Sequence, residues 1–421
     1  MVNINDIDDN FLFQLFELMD ERNAKLGLAR YDVRDYMSHP FYLKLRKTAP
    51  KPIEYLFRMP DVVAPLLLRK ILKIEKKLIP TSLYHLGMSF LLMGKLKKNS
   101  SFLEESLNYC KVGLDIAIDA PYLCWKHPYK HHGYQWKDES EPKFNSCAHH
   151  TSRMGIFLDN IEKAFPEKDF INKSISTAKA LLNYHNWHYY SNTCTVSYYP
   201  NTEDEVINTG AEVAALMAKT KKTSDTQRHL EGLVRTLVQE QLADGGWNYC
   251  TEHHYNKLGG KPVVDNAHNA MIMGALADII DSDRLDEQLY NKTIKVLDKS
   301  VGFYFNSFVS SHGKVTKYPN RKEKTGALYD YCEGIIALCK TIRQTDVIDN
   351  KQSHELLENI IKKILKRAIE KFVDLKTGDV ASDRYFKINY NVQSIRVGSG
   401  LLMETISQYL LTKQLLEEEK S

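Results

Sequence analysis

From Asp244 to His268 the chain reads DGGWNYCTEHHYNKLGGKPVVDNAH, an aromatic-rich polar stretch that runs into a helix start. Asp265 is placed to cap that helix, and Asn266-Ala-His268 sets polar side chains on the first turn of an otherwise apolar run. The same recipe recurs in Cys124–His149, Cys194–Asn208, Gly313–Asp330 and Gly378–Arg396. The helix-start landmarks His149, Asn208, Asn266, Asp330 and Arg396 lie 59, 58, 64 and 66 residues apart. Each interval holds two helices of about five turns with one short and one long connection. A helical hairpin repeated at this period closes into a ring, with inner helices around the axis and outer helices covering them.

Working outward, apolar residues at spacings of three and four predict helices over 81–96, 102–118, 149–165, 170–185, 206–220, 224–242, 266–280, 285–308, 326–343, 353–373 and 392–411. Strand signals are limited to 194–199 and 314–318. Counting 81–118 as a further pair gives about six hairpins. The expected fold is all-α, an α/α toroid over residues 81–421 preceded by a basic helical N-terminal segment, 1–80. All long loops then share one rim with the inner-helix N-termini, where anionic groups are favoured.

Composition narrows the function classes. The 421 residues carry a net charge of +4, too little for wholesale nucleic-acid binding. No run of about 18 apolar residues predicts a spanning helix. The opening MVNINDIDDN lacks a basic region and an apolar core, so no secretory signal is expected. Seven cysteines without regular spacing suit reduced thiols in the cytoplasm. Charge is nevertheless uneven. Residues 41–98 hold thirteen Lys and Arg against three acidic residues, a net +10. Within them, 61–79 places Val62, Leu66, Ile71, Ile74 and Leu78 near helical spacing with basic residues between. Such a helix either packs on the main domain or meets an anionic membrane surface or an acidic biosynthetic partner.

The rim loops would hold Trp125, Tyr129, Trp136, Tyr198, Tyr199, Trp247, Tyr249, Tyr318, Tyr385 and Tyr390. Sugars suit such a surface, because their C–H faces stack on rings while their hydroxyls need donors and acceptors. The alternative is that the loops pack these aromatics against one another. Asp265 and His268, at i and i+3 on a helix start, are the first candidates for acid/base catalysis on a sugar. Tyr199 and Tyr249 are candidate phenol acids or bases, and Arg396 is a candidate fork for a uronate carboxylate. Glu205, Asp330 and Glu333 add carboxylates of the kind a glycosidase pairs. Cys124, Cys147, His149, His150, Cys250, His253 and His254 fall in rim loops, but their spacings match no compact zinc pattern, and neither a metal nor a cofactor is expected.

Gln241-Leu-Ala-Asp244-Gly-Gly-Trp247 matches the Q-x-x-D-G-G-W pattern of terpene-cyclase and prenyltransferase toroids, where Gln and Asp tie a helix end to a turn and Gly-Gly permits the reversal. Asp6-Ile-Asp8-Asp9 has the spacing of a cyclase acid motif, but it lies in an acidic N-terminal tail, and no D-D-x-x-D motif is present. From about Leu86 onward the chain resembles the α/α-toroid proteins encoded in bacterial capsule and exopolysaccharide clusters. The resembling blocks are Cys124-Trp125 with Trp136; Val196-Ser-Tyr-Tyr199-Pro with Val206-Ile-Asn208; Gln241 to Tyr249; Asp265-Asn-Ala-His268; and Ile388-Asn-Tyr390 with Arg396. It departs from them at Cys147-Ala-His149-His150, where small and hydroxyl residues are expected, and at Lys126-His127, where a glycine is expected.

The resemblance implies a contribution to cell-surface polysaccharide biosynthesis. The expectation drawn from the residues is a cytoplasmic carbohydrate-active protein, held near the inner membrane face or a biosynthetic partner by 41–98 and acting on a uronate-containing or lipid-linked glycan by epimerase, lyase or hydrolase chemistry. Its catalytic residues would be Asp265, His268 and Tyr199. Substrate would be bound by Trp125, Tyr129, Trp136, His149, Asn208, Trp247, Tyr249, Asp330, Tyr390 and Arg396. A non-catalytic glycan-binding or assembly component is the alternative, with a terpene cyclase third.

Overall fold

The computed structural model describes residues 7–33, 35–48, 59–119, 121–129, 146–319, 324–344, 351–385 and 388–418. Twelve helices build a ring. They are α1 (Asp9–Leu26), α2 (Pro80–Lys97), α3 (Ser100–Asp115), α4 (Ala148–Ala164), α5 (Ile171–Tyr184) and α6 (Ile207–Lys219). The second half comprises α7 (Ser224–Gln239), α8 (Asn266–Ile280), α9 (Glu287–Phe308), α10 (Leu328–Ile342), α11 (Lys351–Phe372) and α12 (Ser399–Glu418). The even-numbered helices form the inner circle, each packed on the next, and α12 closes it against α2. Every odd-numbered helix covers its even partner from outside.

The two circles differ in sequence because they differ in surroundings. An inner helix meets two inner neighbours, an outer helix and the axis, so α2 is buried continuously from Pro80 to Gly94. Outer helices such as α7 bury one stripe, including Leu230, Leu233, Val234 and Leu237. Side-chain caps start helices of both circles: Asp265 on α8, Asp286 on α9, and Thr223 with Thr226 as a reciprocal box on α7.

Ring closure uses a helix that the sequence reading left outside the ring. Asp8 is not part of a free acidic tail: it caps α1, with its carboxylate accepting from the Phe11 amide, and Asp9 pairs with Lys413 of α12 at 2.8 Å. Helix α1 is therefore the outer partner of α12, and neither aspartate has a place at the axis.

The Q-x-x-D-G-G-W stretch works as a brace. Gln241 donates to the carbonyls of Gly245 and Val296, and Asp244 accepts from the Gly246 amide. Gly245 has φ +104°, and a Cβ there would lie 2.6 Å from the Lys299 carbonyl oxygen, so no other residue serves. Short antiparallel hairpins decorate the rim loops, the longest pairing Trp187–Tyr190 with Thr193–Val196. The stretch 314–318 forms isolated bridges at Val315 and Thr316.

The segment before α2 does not form the single helix expected over 61–79. A short helix, Pro65–Ile71, ends in a turn at Lys73 (φ +51°), and Lys77 then bridges to Arg30. No helix among the described residues is long and apolar enough to cross a membrane.

Candidate active site

The sixth residue of each inner helix faces the axis: His85, Arg153, Glu212, Met271, Glu333 and Glu404 in ring order. Arg153 ties this layer together. Its Nε donates to Glu212 (2.8 Å), one amino group to Glu333 (2.9 Å) and the other to Nε2 of His85 (3.2 Å). With Nε2 accepting, a neutral His85 carries its proton on Nδ1 and donates it to Glu404 at 2.5 Å. Burial, with the Arg153 charge beside it, holds His85 well below its ordinary value, and burial raises Glu404 to about 7. Burial also pushes on Glu212, but the charges of His149 and Arg153 outweigh it and hold that carboxyl near 2.

Two turns farther down, the thirteenth residues of α6, α8 and α10 form a second layer, in which Asp278 pairs with Lys340 (2.5 Å) and Lys219 (3.4 Å). Between the layers lies a cavity of about 40 Å³. That is room for a water or two and far below the roughly 300–1,000 Å³ of a ligand pocket. The axis is filled by its own ion pairs.

One turn nearer the rim the arrangement opens. His268, the third residue of α8, is 30% exposed and bonded through Nδ1 to Asp265 at 2.7 Å. Asp265 also accepts from the His268 amide, so one carboxylate both caps the helix and fixes the ring. Burial disfavours both charges, yet each stabilises the other: His268 lies above 6.5 and Asp265 below 3.8. The Tyr249 ring packs edge-on to the imidazole, with centroids 4.6 Å apart. Asp330, at the start of α10, is pushed by burial up to about 6, with Lys317 opposing the shift. Neighbouring carboxyls tuned in opposite directions around a histidine are the raw material of proton transfer. On α4, one turn above Arg153, the buried His149 donates through Nδ1 to the Glu212 carboxylate at 2.6 Å.

Several expected site residues have other tasks. Trp125 and Trp247 offer no stacking face, because both are buried in the core. Their indole N–H groups, like that of Trp187, cap carbonyls in the last turns of outer helices: Gly113 of α3 (2.7 Å), Leu181 of α5 (3.1 Å) and Leu237 of α7 (2.8 Å). The repeated tryptophan is thus a hairpin clasp. Tyr129, Tyr390 and Arg396 hold the N-terminal segment. The Tyr129 hydroxyl contacts the carbonyls of Arg30 and Glu75, and Tyr390 donates to Asp61 at 2.7 Å. Arg396 donates twice to one oxygen of Asp32, at 3.0 and 2.8 Å. That guanidinium is already engaged by a buried carboxylate. Tyr199 is buried against Tyr198, and burial raises its phenol well above 10, which suits a neutral donor and not a phenolate base. Asn208 lies buried on α6 with its Nδ2 facing the Met271 sulfur. Glu205 accepts from Tyr190 and Thr251, away from the axis. Trp136 lies outside the described residues, as does the side chain of Tyr385.

Among the described residues no group of three or more His, Cys, Asp or Glu side chains converges to hold a metal ion. Reading the sequence for rim motifs missed Arg153, Glu212, Glu404 and Lys340. The available signal was a lone charge inside an apolar run, as in Ala211-Glu212-Val213-Ala214-Ala215, and for Arg153 and Glu212 it falls four residues past a landmark.

No protein-family model matches this sequence, and no curated protein matches it. Solved structures share its fold. The chain is similar to a sugar epimerase from a ruminal bacterium, with TM-score 0.60 and 10% identity over 80% of this chain and 88% of that one. It is similar to cellobiose 2-epimerase from Bacillus thermoamylovorans B4167, with TM-score 0.58 and 9% identity over 81% and 88%. A glycosyl hydrolase family 88 protein from Bacteroides vulgatus gives TM-score 0.58 and 10% identity over 96% and 99%.

Proposed function

We propose that this toroid is a carbohydrate-active enzyme of cell-surface polysaccharide biosynthesis, with its chemistry in the rim cup around Asp265 and His268. The observation that carries the reading is the state of that pair. Nδ1 of His268 is taken by Asp265, the side chain reaches solvent, and Nε2 has no protein partner among the described residues. A histidine so held exchanges a proton through Nε2, with the carboxylate fixing the tautomer and stabilising the cation. Tyr249 walls one side, and Tyr198 lies within its electrostatic reach.

Proton transfer at a sugar carbon, the chemistry of an epimerase, fits this cup better than two-carboxylate glycoside hydrolysis. Glu212 and Glu333 are both bound to Arg153, and Asp265 is bound to His268. Sugar epimerases among the structures of like fold support the same reading. A uronate substrate would not find Arg396 free. Lys317, whose charge acts on Asp265, His268 and Asp330, would take its place. We place the work in the cytoplasm, on a lipid-linked or capsule-type glycan.

A second reading, a glycan-binding assembly component without turnover, is favoured by the filled axis, since a sugar reaches no deeper than the cup. The test is a panel of neutral, acidic and lipid-linked oligosaccharides incubated with the protein, products being separated by chromatography. The proposed enzyme yields an epimer of at least one sugar, and His268→Gln loses it. Calorimetric binding of a glycan with no product from any of them would give the second reading the field.

A further inference from the structure

The segment between α1 and α2 has its charge inside and its hydrocarbon outside. In the helix Pro65–Ile71, Arg69 is fully buried and paired with Asp35 at 2.7 Å and Asp61 at 2.6 Å. The same guanidinium donates to the carbonyls of Asp32 and Pro65. The opposite side carries Met59, Val63, Leu66, Leu67 and Ile71, between 38% and 67% exposed. They recur at spacings of three and four residues across the break at Ala64. A solvated surface helix has the reverse arrangement, with apolar residues inward. Five adjacent exposed aliphatic side chains on one short stretch mark an interaction surface.

Charge identifies the occupant. Lys70 lies between Leu67 and Ile71, Lys73 follows in the turn, and both are exposed. They belong to the stretch 41–98, with its net +10. A two-fold contact with a second copy would set these lysines against themselves. An apolar stripe edged with cations instead matches the boundary of an anionic bilayer, with hydrocarbon below and phosphate above. We propose that residues 59–73 form a membrane-surface anchor, the aliphatic stripe entering the headgroup boundary and Lys70 and Lys73 meeting lipid phosphates. Tyr129, Tyr390 and Arg396 fasten this segment from the rim loops, so the anchor lies at the end of the ring that carries His268. The anchor stands apart from the sugar chemistry. Where both hold, the cup is presented to glycans carried on lipid.

The experiment is flotation of the full-length protein with phosphatidylcholine vesicles and with vesicles of equal parts phosphatidylcholine and phosphatidylglycerol. The protein should float with the mixed vesicles, much less with the neutral ones, and detach as salt is raised. Leu67→Glu with Ile71→Glu should abolish flotation, and Lys70→Glu with Lys73→Glu should weaken binding by at least about thirtyfold, the loss of two cations alone. All four positions are exposed, so both double variants should melt with the wild type. Wild-type protein that stays at the bottom with mixed vesicles would overturn the anchor, as would double variants that float unchanged. A wild-type dimer in solution that Leu67→Glu with Ile71→Glu splits into monomers would overturn it too, assigning the stripe to a second copy.

Discussion

Arg153 and His268 both stand near the start of an inner helix, at the sixth and third positions, and both are paired with carboxylates. Arg153 is 9% exposed and bonded on three sides, whereas His268 is 30% exposed and bonded on one ring nitrogen. One turn of helix separates a structural ion cluster from a group able to react. The same pairing therefore means different things at the two depths. Below, each guanidinium nitrogen of Arg153 has a protein partner and the ring is locked. Above, one nitrogen remains for a substrate.

The largest effect is expected in the lower layer. Arg153→Ala leaves Glu212 and Glu333 facing each other without their shared cation, and should cost about 3–5 kcal/mol of stability in a denaturant titration. Replacing Arg153, Glu212 and Glu333 together by Met and Leu should restore much of that loss, since the ion cluster is costly to desolvate. If the single variant is as stable as the wild type, the locked layer has been misread.

Acid probes both ion-pair layers of the axis. Glu212 and Asp278 are both held near 2 in the fold, below ordinary values of 4.5 and 3.8. Depressed carboxyls contribute stability that is full above the unfolded values and lost as pH falls through the folded ones. Melting temperature should therefore drop progressively between about pH 4.5 and 2, and more shallowly in Glu212→Gln.

Arg396 tests the N-terminal fastening. Arg396→Gln removes both bonds to Asp32 and should cost about 1.5–3 kcal/mol. Limited proteolysis should then cut earliest between residues 30 and 79. Trp247→Phe keeps the ring but strands the Leu237 carbonyl, and should cost about 1–3 kcal/mol by the same denaturant titration. At the rim, His268→Gln should change stability by less than about 1 kcal/mol, since that side chain is partly solvated.

How far the sequence carried these distinctions depends on where partners lie along the chain. The landmarks His149, Asn208, Asn266 and Asp330 fall within the first three residues of inner helices, because capping and periodicity are local signals. Asp265 and His268 were readable as a pair for the same reason, being three residues apart. Tyr390 and Arg396 were not, since Asp61 and Asp32 lie 329 and 364 residues away. Closure by α1 was hidden likewise, as its partner α12 is at the other end of the chain. The tryptophans misled because an aromatic in a polar loop looks the same whether it stacks on a sugar or caps a helix end. Their recurrence in hairpin after hairpin was the clue to a structural part.

The central claim is that the upper pair works on a sugar while the lower cluster holds the ring. The most direct test is solvent-deuterium incorporation at a sugar carbon, followed by proton NMR in D2O for the wild type and His268→Gln, each with its melting temperature. The account predicts wash-in by the wild type, at least about a hundredfold slower in the variant, with melting almost unchanged. Equal wash-in by a stably folded His268→Gln would contradict it.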